Sequence, residues 1–226
     1  MLDTRVRTAL QPTLHRAGIA LASRGVTAGQ LTAAGWTLGA GASVAVALAQ
    51  WHLALLLWLG NRLFDGLDGA VARVQGPTDR GAFLDIVADF SVYAGFVVGV
   101  AVAVPDARLA CTVLLAAYYL SGSAFLALSS LLERRRHHYG DERSLRFVGG
   151  LAEGTETVLV YAAITLFPSA ATGIAWAFAV AVTVTAGQRL LLALHLLRRP
   201  STATAPGLSS TVTDPRLRPI PARSLP

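Results

Sequence analysis

Four aspartates are the residues best placed to do chemistry. Asp65, Asp68, Gly69 and Ala72 share one face of a helix at about 100° per residue, with Arg73 at its edge. A few residues on, Gly81, Asp85 and Asp89 recur at every fourth position, again one helical face. Only the breaker-rich segment QGPTDR separates the two stretches, so they are expected to be antiparallel neighbours whose carboxylates converge. In a low dielectric such a cluster repels itself unless protons or cations offset the charge. Hard oxygen ligands suit Mg²⁺, Mn²⁺ or Ca²⁺, and the lack of a Cys/His cluster argues against zinc. Carboxylate-held divalent ions commonly grip phosphates. Gly69 and Ala72 remove bulk where a ligand approaches the backbone, and Arg73 offers a phosphate-binding fork.

The elements that carry these residues read as membrane helices. The chain has 226 residues, 54% of them hydrophobic and only 14% charged, where soluble domains carry about 25%. No Asp, Glu, Lys or Arg occurs between Arg24 and Arg62, from 109 to 132, or from 157 to 188. Uncharged apolar runs beyond about 18 residues are the membrane-span signature. An ordinary soluble domain and a disordered chain are both excluded. The net charge is +6 and all 19 basic residues are Arg. They lie mostly between apolar runs, which points to membrane orientation and anionic lipid rather than nucleic acid. The lone Cys111, in an apolar run, is read as a small buried hydrophobe. Arg5, Arg7, Arg16 and Arg24 interrupt the first residues, so no cleavable signal peptide is expected.

The expected fold is all-α: a polytopic membrane protein of six transmembrane helices preceded by an interfacial amphipathic helix. Residues 1–22 form that helix, with Leu2, Val6, Leu10 and Leu14 recurring near a helical period. Spans are placed at about 30–50, 53–74, 82–104, 108–131, 150–167 and 171–195, inside a catalytic domain of residues 23–197. Residues 198–226, rich in Pro, Ser and Thr, are expected to be a disordered cytoplasmic tail. Segments holding nearly all the Arg residues fall on one side, so both termini and the acids are assigned to the cytoplasmic face of the cell membrane.

Cytoplasmic-end salt bridges to Arg62, Arg73 and Arg80 would account for a single aspartate, but not for four on adjacent helices. A divalent-cation transporter, or a metal-binding membrane protein, is a further alternative. Transport sites tend towards the midplane, however, and these acids lie at one end of their spans.

The run Asp65-Gly-Leu-Asp68-Gly69-Ala-Val-Ala72-Arg73, followed after seven residues by Gly81-Ala-Phe-Leu-Asp85-Ile-Val-Ala-Asp89, fills DxxDGxxAR…GxxxDxxxD. This resembles the signature of the CDP-alcohol phosphatidyltransferase family. The resemblance implies transfer of a phosphatidyl group from a CDP-linked lipid, such as CDP-diacylglycerol, to a polar alcohol, with release of CMP. A soluble CDP-alcohol donor with a lipid acceptor is the alternative within it. By the same resemblance, Asp65, Asp68 and Asp85 hold two Mg²⁺ or Mn²⁺ ions on the donor pyrophosphate. Asp89 is the general base and a further metal contact. Gly69, Ala72, Arg73 and Thr32 are nucleotide-side positions, Gly81 is a packing glycine, and the protein is a homodimer. The family's Pro-Asn pair ahead of this Thr is replaced here by Gly29 and Gln30, before Leu31 and Thr32.

The acceptor pocket is read more loosely. Arg134 belongs to a basic run that also suits the orientation signal; Arg143 and Arg146 follow nearer the fifth span. Glu153 and Glu156 open that span. The Arg residues would suit a phosphorylated alcohol, and the Glu residues acceptor hydroxyl groups or a positive amine.

Overall fold

The computed structural model describes the backbone of residues 2–139 and 154–198, with side chains over 10–131 and 154–197. Among these residues lie seven α-helices: α1 (Leu2–Ala22), α2 (Ala28–Ala47), α3 (Trp51–Gln75), α4 (Asp79–Ala103), α5 (Arg108–Tyr139), α6 (Gly154–Leu166) and α7 (Ala171–Arg198). Short 3₁₀ turns at Pro105–Ala107 and Pro168–Ala170 lead into α5 and α7, each with proline at its start, where the missing N–H costs nothing.

The ends of the site-bearing helices have clear local causes. Thr27 caps α2: its hydroxyl accepts from the Gln30 N–H at 3.3 Å, and the Gln30 side chain accepts from the Thr27 N–H at 3.0 Å. This reciprocal box stands where the Pro-Asn pair is missing. Gly76, at φ 95°, closes α3 in a conformation that favours glycine. Thr78 then caps α4 through the Gly81 N–H at 3.1 Å. This short segment turns the chain back from α3 into α4, and α2 packs against both, so the two meet through long side chains rather than by the direct helix packing expected of antiparallel neighbours. Gln75 ties the α1–α2 connection to the end of α3, donating to the Val26 carbonyl at 2.7 Å.

Small residues on α2 admit its neighbours. A Cβ on Gly39 would stand 2.5 Å from Val92 of α4 and 3.0 Å from the Asn61 amide of α3. On α4, a Cβ on Gly99 would stand 2.5 Å from the Ser43 carbonyl of α2. Close backbone approach of this kind is how helices gain contact where lipid offers no hydrophobic drive. The core is aromatic. Trp58, Phe96 and Tyr161 are fully buried, with Phe96 and Tyr161 stacked at 4.2 Å and Trp58 tilted against both. Trp58 donates to the Val158 carbonyl at 3.2 Å, and the Tyr161 hydroxyl donates to the Tyr93 carbonyl at 2.9 Å. The polar tips of these rings are thereby satisfied.

The expected count of six spans is not met. Three stretches of described residues are long and apolar enough to cross a membrane: Asp79–Ala103, Pro105–Leu131 and Pro168–Leu197. The expected span at 30–50 forms α2, but Gln30 and its Gly and Thr residues dilute its hydropathy. The expected span at 53–74 forms α3, whose last turns carry Asn61, Arg62, Asp65, Asp68 and Arg73. The expected span at 150–167 is described only as the 13-residue apolar helix Gly154–Leu166, short of the roughly 20 residues a crossing needs. Helix α5 also runs on to Tyr139, through the first residues of the segment read as a loop.

Candidate active site

The polar end of α3 and the first turns of α4 face each other. One carboxylate oxygen from each of Asp65, Asp68 and Asp85 lies within 4.8 Å of the other two. Helical spacing sets this up: Asp65 and Asp68 are one turn apart on α3, and Asp85 meets them from α4. Asp68 is 6% exposed, and its Oδ2 accepts from the Thr32 hydroxyl at 2.8 Å, which joins α2 to the cluster. Thr32, placed on the nucleotide side by the resemblance, stands directly against one of the acids.

Asp89 has a different partner. Its Oδ1 accepts from Arg62 Nη2 at 2.9 Å, across from α3 to α4. Arg62 also lies 3.7 Å from Asp65, the neighbour that sequence spacing suggests. The guanidinium reaches two more partners: Nη1 donates to the Tyr93 hydroxyl at 2.8 Å and Nε donates to Asn61 Oδ1 at 2.8 Å. Asn61, 3% exposed, in turn donates to the Gly35 carbonyl of α2 at 2.8 Å. Asn61 and Tyr93 were not singled out from the sequence. Tyr93 continues the fourth-residue series of Gly81, Asp85 and Asp89, which is the signal that would have found it.

The four aspartates, Arg62 and Tyr93 line a cavity of about 890 Å³. Its polar wall holds Arg62, Asp65, Asp68, Asp85, Asp89 and Arg73; Leu10 and Leu14 of α1 and Val158 of α6 form an apolar side. A pocket with acids at one side and aliphatic groups at the other suits an amphiphilic ligand. Gly69 opens onto it, and a Cβ there would meet only Arg73, at 3.4 Å. The half-buried Ala72 follows on the same helix. A Cβ on Gly81 would meet only the Thr78 hydroxyl, at 3.0 Å, so the close group is the cap of its own helix.

Of the acceptor candidates, Glu156 lies in the first turn of α6, close to the cavity-lining Gly154 and Thr155. Arg143, Arg146 and Glu153 lie outside the described residues, as does the side chain of Arg134.

The three-carboxylate group fits a divalent ion. It supplies hard oxygen donors only, and its members come from two helices fixed by caps and a tight turn. Among the described residues no other group of His, Cys, Asp and Glu is brought together in this way.

An all-helical bundle with apolar helices and an acidic cluster beside this cavity suits a membrane protein that receives a charged amphiphile. The chain belongs to the CDP-alcohol phosphatidyltransferase family, which it matches over residues 26–188. It is a membrane transferase of phospholipid biosynthesis, moving a phosphatidyl-type group from a CDP-linked donor to an alcohol. It is 40% identical over 175 residues to the inner membrane protein YnjF of Escherichia coli, covering 75% of this chain and 84% of that one. It is 34% identical over 99 residues to an archaetidylinositol phosphate synthase of Pyrococcus horikoshii, covering 43% and 53% of the two chains. Two structures of the phosphatidylinositol phosphate synthase of Mycobacterium tuberculosis share the fold. One, with CDP-DAG bound, aligns with TM-score 0.62 at 24% identity, over 80% of this chain and 92% of that one. The other, in complex with manganese and citrate, aligns with TM-score 0.64 at 23% identity, over 80% and 88%.

Proposed function

We propose that the donor is CDP-diacylglycerol and the acceptor a phosphorylated alcohol of the inositol phosphate type, joined at the cytoplasmic face of the inner membrane. The observation that carries this reading is the convergence of Asp65, Asp68 and Asp85 on one wall of a cavity whose other side is aliphatic. The names of the related synthases support the choice of substrates, and that of YnjF supports the membrane.

Asp65, Asp68 and Asp85, with Asp89 as a further contact, would hold the metal, Mg²⁺ or Mn²⁺, in a set of two ions. When bound, these ions offset the charge of the donor pyrophosphate and polarise the phosphorus under attack. The chain's own residues do the rest. Arg73 receives phosphate at the mouth, and Gly69 and Ala72 leave room for the nucleotide against the backbone. Leu10 and Leu14 of the interfacial helix lie along the acyl part of the donor. Asp89 accepts the proton of the acceptor hydroxyl. That oxygen bonds to the phosphorus bearing the diacylglycerol, the bond to the cytidylyl oxygen breaks, and CMP leaves with the electron pair.

The acceptor phosphate is drawn from the cytoplasmic side by Arg134, Arg143 and Arg146, with Glu153 and Glu156 towards its hydroxyls. The excess of Arg at this end supports the orientation. The protein acts as a homodimer.

The test is release of labelled CMP from CDP-diacylglycerol with a panel of alcohols and alcohol phosphates. Release that requires inositol phosphate and disappears in Asp89→Asn supports the reading. Release only from a soluble CDP-alcohol with added lipid, or divalent-ion flux without nucleotide, overturns it.

A further inference from the structure

The Tyr93 ring is fixed by three others. Its centre lies 6.0 Å from that of Trp58 and 6.3 Å from that of Tyr161, edge to face, and 6.5 Å from that of Tyr118, stacked. The hydroxyl end is what this packing leaves for the cavity that Tyr93 lines. That hydroxyl accepts from Arg62 Nη1 at 2.8 Å. Besides the acids, Arg62 is held by uncharged groups: Asn61 Oδ1 at 2.8 Å and the Trp58 ring, 4.8 Å from its Cζ. While its oxygen receives from the guanidinium, the phenol still has a hydrogen to give. Among the described residues no group accepts it. A donor left over in a partly buried wall points to an atom of the ligand.

We infer that Tyr93 is a specificity-determining residue, whose hydroxyl donates to a second oxygen of the acceptor alcohol, beside the hydroxyl that reacts. Its placement carries this. Tyr93 follows Asp89 by four residues on α4, so the two are neighbours on one helical face, with Cβ atoms about 5–6 Å apart. A carboxylate only accepts hydrogen bonds, and this phenol has only a donor to offer. Together they suit a molecule that presents an O–H at one point and an oxygen lone pair a few bonds away. A polyol or its phosphate does so. An amino alcohol does not: its ammonium has no lone pair, and the guanidinium bonded to Tyr93 opposes its charge. The bond from Arg62 also polarises the phenol and strengthens what it donates.

The inference rests on the proposed function, with Asp89 receiving the proton of an alcohol, and the experiment tells the two apart. CMP release from CDP-diacylglycerol is measured in wild type and Tyr93→Phe with three acceptors: inositol phosphate, its analogue lacking the hydroxyl next to the one that reacts, and ethanolamine. In wild type, kcat/KM is expected to favour inositol phosphate over the deoxy analogue by about tenfold or more, with ethanolamine weaker still. In Tyr93→Phe, kcat/KM for inositol phosphate falls about tenfold. The preference over the deoxy analogue shrinks to within about threefold, and the donor KM stays within about threefold of wild type.

An equal loss with every acceptor overturns the inference, because a residue that only supports the fold or Asp89 acts on all of them alike. A rise in donor KM of about tenfold, with the acceptor preference intact, overturns it too and gives the hydroxyl to the lipid donor. If Tyr93→Phe does not fold, the wild type decides: a deoxy analogue or ethanolamine that serves as well as inositol phosphate rejects the inference. No CMP release from wild type with any alcohol removes the proposed function and the inference with it. A wild-type preference that Tyr93→Phe leaves intact removes only the role given to Tyr93.

Discussion

Thr32 on α2 donates its hydroxyl to Asp68 on α3 at 2.8 Å, so the most buried acid of the cluster is aimed by a helix that contributes no carboxylate of its own. Partners standing behind a metal ligand usually matter almost as much as the ligand. Thr32→Val, which keeps the shape and loses the hydroxyl, is expected to weaken Mn²⁺ binding or turnover by about tenfold. Titration of Thr32→Val beside wild type checks this, and equal affinity and kcat would reject it.

Each of Asp65→Asn, Asp68→Asn and Asp85→Asn removes one charge from the group that would hold the ion. Each is expected to cut CMP release by about a hundredfold or more, a loss of roughly 3 kcal/mol of transition-state stabilisation. Removal of divalent ions with a chelator should silence the wild type, and added Mg²⁺ or Mn²⁺ should restore it. Turnover that persists in excess chelator would contradict the metal requirement.

Helix contact predicts a contrast between two glycines of α2. Gly39→Ala would push a methyl to 2.5 Å from Val92 and 3.0 Å from Asn61, whereas Gly29→Ala meets nothing within 4 Å. The first should cost about 1–3 kcal/mol. The second should be neutral or stabilise by up to about 1 kcal/mol. Thermal unfolding in detergent reads both, and equal effects would show that α2 does not seat as described.

Tyr161→Phe takes the donor from the Tyr93 carbonyl and the partner from the Tyr118 hydroxyl, which lies 3.1 Å away. With both groups buried, a loss of about 1–3 kcal/mol of stability is expected. CMP release per folded molecule should change little, because Tyr161 stands behind Tyr93 and does not itself line the cavity. A fall in kcat without a fall in stability would mean that the hydroxyl does more than hold the core.

The catalytic end of the fold was legible because its residues are expensive to place. Four aspartates at helical spacing on two adjoining stretches have few reasons to exist in so apolar a chain, and Asp65, Asp68 and Asp85 do meet. The helices themselves were legible from charge-free runs, but their number as spans was not. Periodicity locates α2 and α3 without revealing that glycine and the site's own charges take them below the hydropathy of a crossing helix. Arg62 shows the other limit. Local spacing pairs it with Asp65, one turn away, while the shorter bond runs to Asp89, 27 residues along the chain. That choice depends on where α4 stands relative to α3, and both pack on α2, where Gly39 leaves room for Val92 and the Asn61 amide. Asn61 was overlooked for the same reason: its amide matters only once the Gly35 carbonyl is beside it.

The crossing of α1 over α3 bears on how the protein is made. A methyl on Gly18 would lie 2.9 Å from the Ala70 carbonyl, so the two backbones touch just beyond Asp68. Synthesised before α2 and α3, α1 has no seat until Ala70 has been made some fifty residues later. It must wait, loosely held, until α2 and α3 have followed. Completion of the cavity is therefore a late event of biogenesis, and a nascent chain stopped before α3 would carry α1 without the surface it packs on.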